Sequence, residues 1–186
     1  MSTSSAPILS DPHALRDRAR RHIEDGAVTE NYGADRGVVL RLLNAALATE
    51  IVCNLRYRRH YYTAKGLASA SIAAEFMEHA REEEAHAERF AERIAQLGGE
   101  PDFSPQGLAE RSHAEYVEGR DLLEMIKEDL VAERIAIESY RETVLYIGST
   151  DPTTRRLFEE VLAVEEEHAD ELLNLIKQVG THAATK

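Results

Sequence analysis

The sequence predicts an all-α fold, a four-helix bundle with one long crossover connection and a short helix ahead of it. Three observations carry this. The 186 residues hold 43% hydrophobic and 30% charged side chains, no Trp, and only 10 Gly and 5 Pro, a composition typical of helical globular chains rather than disordered or all-β ones. Apolar residues recur at steps of three and four in four separate stretches, the spacing that lines one face of an α-helix. The interruptions between the stretches run short, long, short, the loop pattern of a bundle with a single crossover. At 20.8 kDa the chain suits one domain.

Residues 1–34 form an N-terminal extension. Its first residues read as a small, polar tail, and Asp11 and Pro12 then supply an N-cap and an N1 proline for a short helix that Gly26 can end. Arg16, Arg18, Arg20 and Arg21 are offset by Asp11, Asp17, Glu24 and Asp25. The bundle occupies residues 35–180. Asp35 caps a helix from about residue 36 to about 65 with the stripe Val39, Leu43, Ala46, Glu50, Cys53, Tyr57; Gly66 breaks it. The second helix runs to about Leu97 with Ile72, Phe76, His79, Glu83, His86, Phe90, Ile94, and Gly98 and Gly99 close it. Residues 100 to about 119 carry Pro101, Pro105 and Gly107 and read as the crossover. A third helix spans about Arg120 to Ile147 with Leu122, Ile126, Leu130, Glu133, Ile137, Tyr140, Val144. GSTDP then makes a tight turn with a terminal Gly, an Asp cap and an N1 Pro. The fourth helix carries Phe158, Val161, Glu165, His168, Leu172, Leu175, Val179 and ends near Gly180, with residues 181–186 as a frayed tail.

Composition also excludes function classes. A formal net charge of −12 disfavours nonspecific binding to DNA or an anionic membrane, which relies on clustered Lys and Arg. Cys53 is the only cysteine, so CxxC redox and Cys-rich zinc motifs are absent. The N-terminus lacks a basic region followed by an apolar core, and no uninterrupted apolar run approaches about 18 residues. A cytoplasmic protein is expected.

The informative anomaly is that all four core stripes are interrupted by glutamate. An ionised carboxylate in a core is paired, neutralised or metal-bound. Glu50 lies 16 residues before Gly66 and Glu83 lies 17 after it, while Glu133 and Glu165 each lie 16 from Ser149. At about 1.5 Å rise per residue each pair folds to a height of about 24 Å, near the middle of the bundle. The crossover of roughly 20 residues can span about 65 Å, enough to return along the bundle. Each hairpin moreover reads Glu, Tyr seven residues later, then Glu-x-x-His on the returning helix: Glu50, Tyr57, Glu83, His86, and Glu133, Tyr140, Glu165, His168. One Glu-x-x-His alone is weak, and a third copy occurs at Glu110 and His113 in the crossover. The matched heights and the repeat make the two helical copies specific. Two divalent cations would neutralise four glutamates, with His86 and His168 as nitrogen ligands; mixed carboxylate and imidazole ligation suits iron, with Mn and Zn as competitors. The plain alternative is a bundle with solvated acidic faces.

Glu50, Glu83-x-x-His86, Glu133 and Glu165-x-x-His168 resemble the ligand pattern of the ferritin-like di-iron superfamily, and the flanking sequence is similar to bacterioferritins and Dps-like proteins over about residues 35–180. The resemblance implies a ferritin-like four-helix bundle. It implies that Glu83 and Glu165 bridge two irons per subunit, that Glu50 and His86 complete one and Glu133 and His168 the other, and that Tyr57 matches a tyrosine beside the centre. The implied function is a ferroxidase that oxidises Fe(II) with O2 or H2O2 and stores Fe(III) in a hollow homo-oligomer, whose acidic pores would fit the net charge. Glu84 stands where bacterioferritins carry their haem-ligating Met, so haem is not expected. The N-terminal extension and the lack of a short fifth helix resemble Dps-like dodecamers, so a dodecamer is favoured over a 24-mer. Unlike true Dps proteins, however, all six ligands lie within one chain, as in bacterioferritin. The rivals are a di-iron or dimanganese peroxidase of rubrerythrin type, weakened by the missing CxxC element, and a non-catalytic helical interaction protein. Cys53 reads as a small core residue. His79 and His60 read as packing or surface histidines, with an auxiliary role in iron handling as the alternative. Glu82, Glu84, Glu166 and Glu167 read as solvated, Glu82 also being placed to hydrogen-bond a ligand histidine, and Tyr61 and Tyr62 as packing residues.

Overall fold

A computed structural model describes residues 9–64 and 69–184. Gly66, assigned above as the breaker of the first hairpin, lies outside the described residues, as do residues 1–8 of the tail. Six α-helices follow in order: α1 (Pro12–Ala19), α2 (Arg36–Thr63), α3 (Ser69–Gln96), α4 (Leu108–Arg111), α5 (Leu122–Ile147) and α6 (Pro152–Ala184). No strand occurs among the described residues.

The expected caps form. Asp11 accepts from the amides of His13 and Ala14 at 2.9 and 3.3 Å, Asp35 from that of Val38 at 3.0 Å, and Asp151 from that of Thr154 at 3.0 Å. Asp121 likewise caps α5, accepting from the Glu124 amide at 2.9 Å. After α3 the Gly99 amide reaches back to the Ile94 carbonyl at 2.9 Å, with Gly98 at φ +68°. Two boundaries differ from expectation. α1 stops at Ala19 rather than running to Gly26, with a 3-10 turn over Ile23–Asp25 behind a left-handed His22; no residue of α1 is buried, so nothing beyond local propensity extends it. At the other end α6 continues past Gly180 to Ala184.

α2 pairs with α3 and α5 with α6, and the hairpins meet through α2 against α5 and α3 against α6. Cross-links set the directions. Arg56 meets Asp129 while Glu50 meets Tyr140, so α2 and α5 run antiparallel. The α5–α6 turn lies by the start of α2, where the Tyr32 hydroxyl donates to Asp151 at 2.7 Å and Arg93 of α3 donates to the same carboxylate at 3.0 Å. The α5–α6 turn therefore sits at the end of the bundle opposite the end of α2 and the start of α3.

The crossover returns along α2 and is fastened to it. Asn44 accepts the Asp102 amide at 2.8 Å, Thr49 accepts the His113 amide at 3.0 Å, and Arg56 donates to the Glu115 carbonyl at 2.9 Å. Beyond these, Arg59 donates to the Glu118 carbonyl at 2.8 Å. At Gly119, φ +63°, the chain turns into α5 so tightly that a Cβ would lie 2.8 Å from the Met125 nitrogen. Covered by three neighbours, α2 has an 18-residue window of mean hydropathy 1.6. That value passes a length-and-hydropathy criterion for crossing a membrane, yet half of the window is buried within the bundle and it contains Glu50.

Under the crossover lies a buried ionic network. Arg56 donates from Nε to Asp129 Oδ1 at 2.8 Å, and His60 Nδ1 meets the other oxygen at 2.8 Å, its Nε2 meeting the Glu118 carbonyl at 3.0 Å. All three side chains are fully buried, and this assigns His60 to the scaffold. Removing one member of such a network strands the other charge. Asp129→Ala is expected to lower stability by about 3–5 kcal/mol, read as a fall in the denaturation midpoint. Replacing Arg56 with Met and Asp129 with Leu together should recover part of that loss; a midpoint unchanged in Asp129→Ala would contradict the network's role.

Candidate metal centre

The apolar core is split into two halves. One gathers Val39, Leu43, Leu47, Phe90, Ile94, Ile147, Phe158 and Val161, the other Ile72, Phe76, Ala80, Met125, Ile126 and Leu172. Between them lies a layer of ionisable side chains contributed by all four long helices. Each helix places its glutamate there because the apolar stripe on either side fixes its rotation.

The structure brings together all six residues singled out from the sequence. Glu50, Glu83, Glu133, Glu165 and His168 are at most 2% exposed and His86 5%. Their donor atoms fall into two groups, Glu50, Glu83, His86, Glu165 and Glu83, Glu133, Glu165, His168, each converging within 4.8 Å. Glu83 and Glu165 belong to both. Glu165 directs Oε1 to His86 Nδ1 at 3.1 Å and Oε2 to His168 Nδ1 at 3.2 Å. Glu83 likewise faces His86 with Oε2 at 4.0 Å and His168 with Oε1 at 3.5 Å. Glu50 closes the first group 3.3 Å from His86 and Glu133 the second 3.9 Å from His168. Two overlapping sets that share two carboxylates are the geometry of a pair of cation sites.

The outer ring of contacts is equally ordered. The tyrosines cross between hairpins: Tyr57 donates to Glu133 and Tyr140 to Glu50. Glu82 takes the second hydrogen-bonding role noted above, lying 2.8 Å from His168 Nε2, so that Nδ1 is turned toward the centre. His79 bridges Tyr57, 3.2 Å from Nδ1, and Glu171, 2.9 Å from Nε2, and stacks on His168 at 4.1 Å. Cys53 is buried against Ala114, Ala132 and Arg56 as a small core residue, its thiol pushed up by burial. Glu84 pairs with Arg58 at the surface and Glu166 with Arg141. Glu110 and His113, the third Glu-x-x-His, stand in the crossover and belong to neither group of converging donor atoms. Tyr61 is partly buried in the core near Phe76, whereas Tyr62 is 76% exposed.

Burial and mutual repulsion govern the charges. Desolvation, with Glu165 and Glu50 nearby, pushes Glu83 well above the carboxylate range. Desolvation with Glu50 raises Glu165 to about 7, against the pull of the two histidines. Burial would also raise Glu133, but the nearby His168 and the hydrogen bond from Tyr57 bring it to about 2. Burial would depress His86, yet Glu165 and Glu50 hold it at about 9, and His168 is raised likewise by Glu133, Glu165 and Glu83. Six atoms of this layer nevertheless lack a hydrogen-bond partner: Glu50 Oε2, Glu83 Oε1, both Glu165 oxygens, His86 Nδ1 and His168 Nδ1. Orphaned buried polar atoms are costly, and here all point inward at one another. Hard carboxylates plus imidazole nitrogens match a divalent first-row metal such as iron.

A family profile described as the ferritin-like domain matches residues 40–180. A bacterioferritin of Desulfovibrio desulfuricans is 30% identical over 145 residues, covering 77% of this chain and 75% of that protein. A nutrient stress-induced DNA-binding protein of Synechococcus is 32% identical over 130 residues, covering 68% of this chain and 74% of the relative. Among solved structures, a dodecameric thioferritin, the bacterioferritin-related protein of Bacteroides fragilis, superposes with a TM-score of 0.79 at 29% identity, covering 82% of this chain and 92% of that one. The D. desulfuricans bacterioferritin, solved with its diiron site in different catalytic states, superposes at 0.71 and 28% identity, covering 81% and 85%.

Metal entry must displace protons. Burial among like charges raises Glu83 and the flanking carboxylates hold His86 at about 9, and a ligand nitrogen or carboxylate must be deprotonated to take a metal. Binding of Co(II) is therefore expected to release protons, with affinity rising from pH 6 to 9 by about tenfold per pH unit for each proton released. Calorimetry in buffers of different ionisation heat measures this directly. A binding heat independent of buffer would contradict it.

Proposed function

The chain belongs to the ferritin-like family, and from that premise we propose that it is a ferroxidase that oxidises Fe(II) with O2 or H2O2 at a di-iron site within each subunit and stores Fe(III) inside a homo-oligomeric shell. Iron storage is the family-level function of its bacterioferritin relatives. The observation that carries the finer reading is the pair of carboxylates, Glu83 and Glu165, each turned with one oxygen to His86 and the other to His168.

Glu83 and Glu165 would bridge the two irons, Glu50 and His86 would hold one, and Glu133 and His168 the other. The bound pair supplies two one-electron donors side by side, so that an oxidant can be reduced by two electrons in one encounter. The chain's own groups prepare this. Tyr57 and Tyr140 fix one oxygen of Glu133 and of Glu50 and leave the other to face the centre. Glu82 fixes the tautomer and ring plane of His168. The apolar halves above and below exclude water, which strengthens each electrostatic contact within the layer. His86, Glu83 and Glu165 accept or release the protons that accompany cation entry and departure. The thioferritin relative is dodecameric, which supports a dodecamer here. Glu84 in its surface pair with Arg58 supports the absence of a haem ligand from this chain at that position.

Anaerobic Fe(II) titration followed by oxidant tests the reading. Two Fe(II) per chain are expected to bind before the first break, and oxidation should then be fast and followed by mineral growth in light scattering. Glu165→Ala should remove the break and slow oxidation at least about a hundredfold, as loss of a bridging ligand to both metals implies. Saturation without a break at two, or a Glu165→Ala protein that oxidises iron at the parent rate, would overturn the proposal. Rapid peroxide turnover without retained iron would instead identify the peroxidase.

A further inference from the structure

Among the described residues, those from Leu9 to Ala27 are exposed throughout, Arg18 excepted, and Val28 is the first to pack against the apolar core. Within this stretch α1 is nonetheless a formed helix. Asp11 caps its first turn, and the Arg20 side chain donates to the Arg16 carbonyl at 2.8 Å in its last. Eight residues are too few for a stable helix in water, where about 12–15 are marginal even in favourable sequences. Since α1 buries none of its residues against its own bundle, the surface that steadies it must come from another molecule.

The two sides of α1 indicate which molecule. Pro12, Leu15 and Ala19 recur at steps of three and four along one side, and Leu9 and Ile23 stand 77% and 78% exposed beyond its two ends. Arg16 and Arg20, one turn apart, flank that side. Among the described residues only Arg21 of the four arginines meets a carboxylate, Glu30 at 3.1 Å, while Arg18 donates to the Ser10 hydroxyl at 2.9 Å. Residues 12–22 carry those four arginines against Asp17 alone, a net charge of +3 in a chain of −12, which leaves −15 on the rest. A nucleic acid or an anionic bilayer would meet the arginines but also the acidic body behind them. A second copy of this chain presents the complement on both counts, an acidic exterior with apolar residues such as Val131, Leu145 and Leu173 exposed on it.

We propose that α1 is a docking arm that packs against the acidic exterior of a second copy of this chain, with Leu15 and Ala19 toward apolar residues of that copy and Arg16 and Arg20 toward its carboxylates. The segment between α1 and Val28 is the tether. It turns at two left-handed residues, His22 at φ +49° and Gly26 at φ +58°, and the Arg21–Glu30 pair closes the loop across them. The inference rests on the homo-oligomeric reading and adds to it one contact of the assembly, and its test separates the two.

Cross-linking between copies tests it. In the full-length protein carrying Arg16→Lys and Arg20→Lys, which keeps the charge, a carbodiimide joins each amine to a carboxylate it touches. Assemblies of mixed nitrogen-15-labelled and unlabelled chains are expected to give mixed-isotope cross-linked peptides from positions 16 and 20, fading as salt rises from about 0.05 to about 0.5 M. The full-length protein carrying Arg16→Glu and Arg20→Glu should keep its helical content and dissociate at concentrations at least about tenfold higher than the parent in analytical ultracentrifugation. Cross-links confined to one isotope overturn the arm, as does an assembly equally stable after the charge reversal. DNA retention by the parent that the charge-reversed variant loses, with assembly unchanged, overturns it in favour of a nucleic-acid arm. A parent that sediments as a monomer overturns the homo-oligomeric reading and this inference with it.

Discussion

Everything in this molecule is arranged around the cost of placing four glutamates in a dry core. Each carboxylate alone would be expelled to water or protonated, and together they repel. The fold answers with two histidines, two tyrosine hydroxyls and a layer symmetric between the hairpins. Even so six polar atoms remain unmatched. A pair of bound cations would complete this geometry, and burial among like charges raises Glu83 and Glu165.

That geometry has to be enforced from outside the layer. Tyr57 and Tyr140 cross between hairpins, so each pair of helices orients a glutamate belonging to the other. The Arg56, Asp129 and His60 network ties α2, α5 and the end of the crossover together on one side. At the far end Asp151 collects Tyr32, Arg93 and Thr154, joining the loop before α2 to α3 and to the start of α6. Apolar packing above and below fixes helix rotation, and these polar ties fix axial register. A slip of one residue in any helix would rotate its glutamate by about 100° out of the layer.

The helices and the six central residues were legible because burial in a bundle is periodic and the sequence keeps that period. Glutamates at equal distances from two turns needed only helical rise to be matched. The hidden part follows from features that period does not record. Asp129 lies beside the apolar stripe of α5, on the face toward α2 where the crossover ends, and nothing local distinguishes it from a solvated acid. His79 gave a stripe position but not a role, since its partners Tyr57 and Glu171 stand on other helices, 22 and 92 residues away. The repeat announced Tyr57 and Tyr140, yet which glutamate each serves depends on the antiparallel packing of α2 against α5. The early end of α1 and the late end of α6 reflect the same limit: helix ends away from the core are set by local balance that caps alone do not decide.

The central claim is that two irons share the carboxylates of Glu83 and Glu165 within one chain. Mössbauer spectroscopy of protein loaded anaerobically with two equivalents of iron-57 and then oxidised tests it most directly. A bridged pair predicts ferric ions coupled to a diamagnetic ground state, in equal amounts and lost together in Glu83→Ala. Magnetically isolated high-spin ferric ions in the freshly oxidised protein would contradict it.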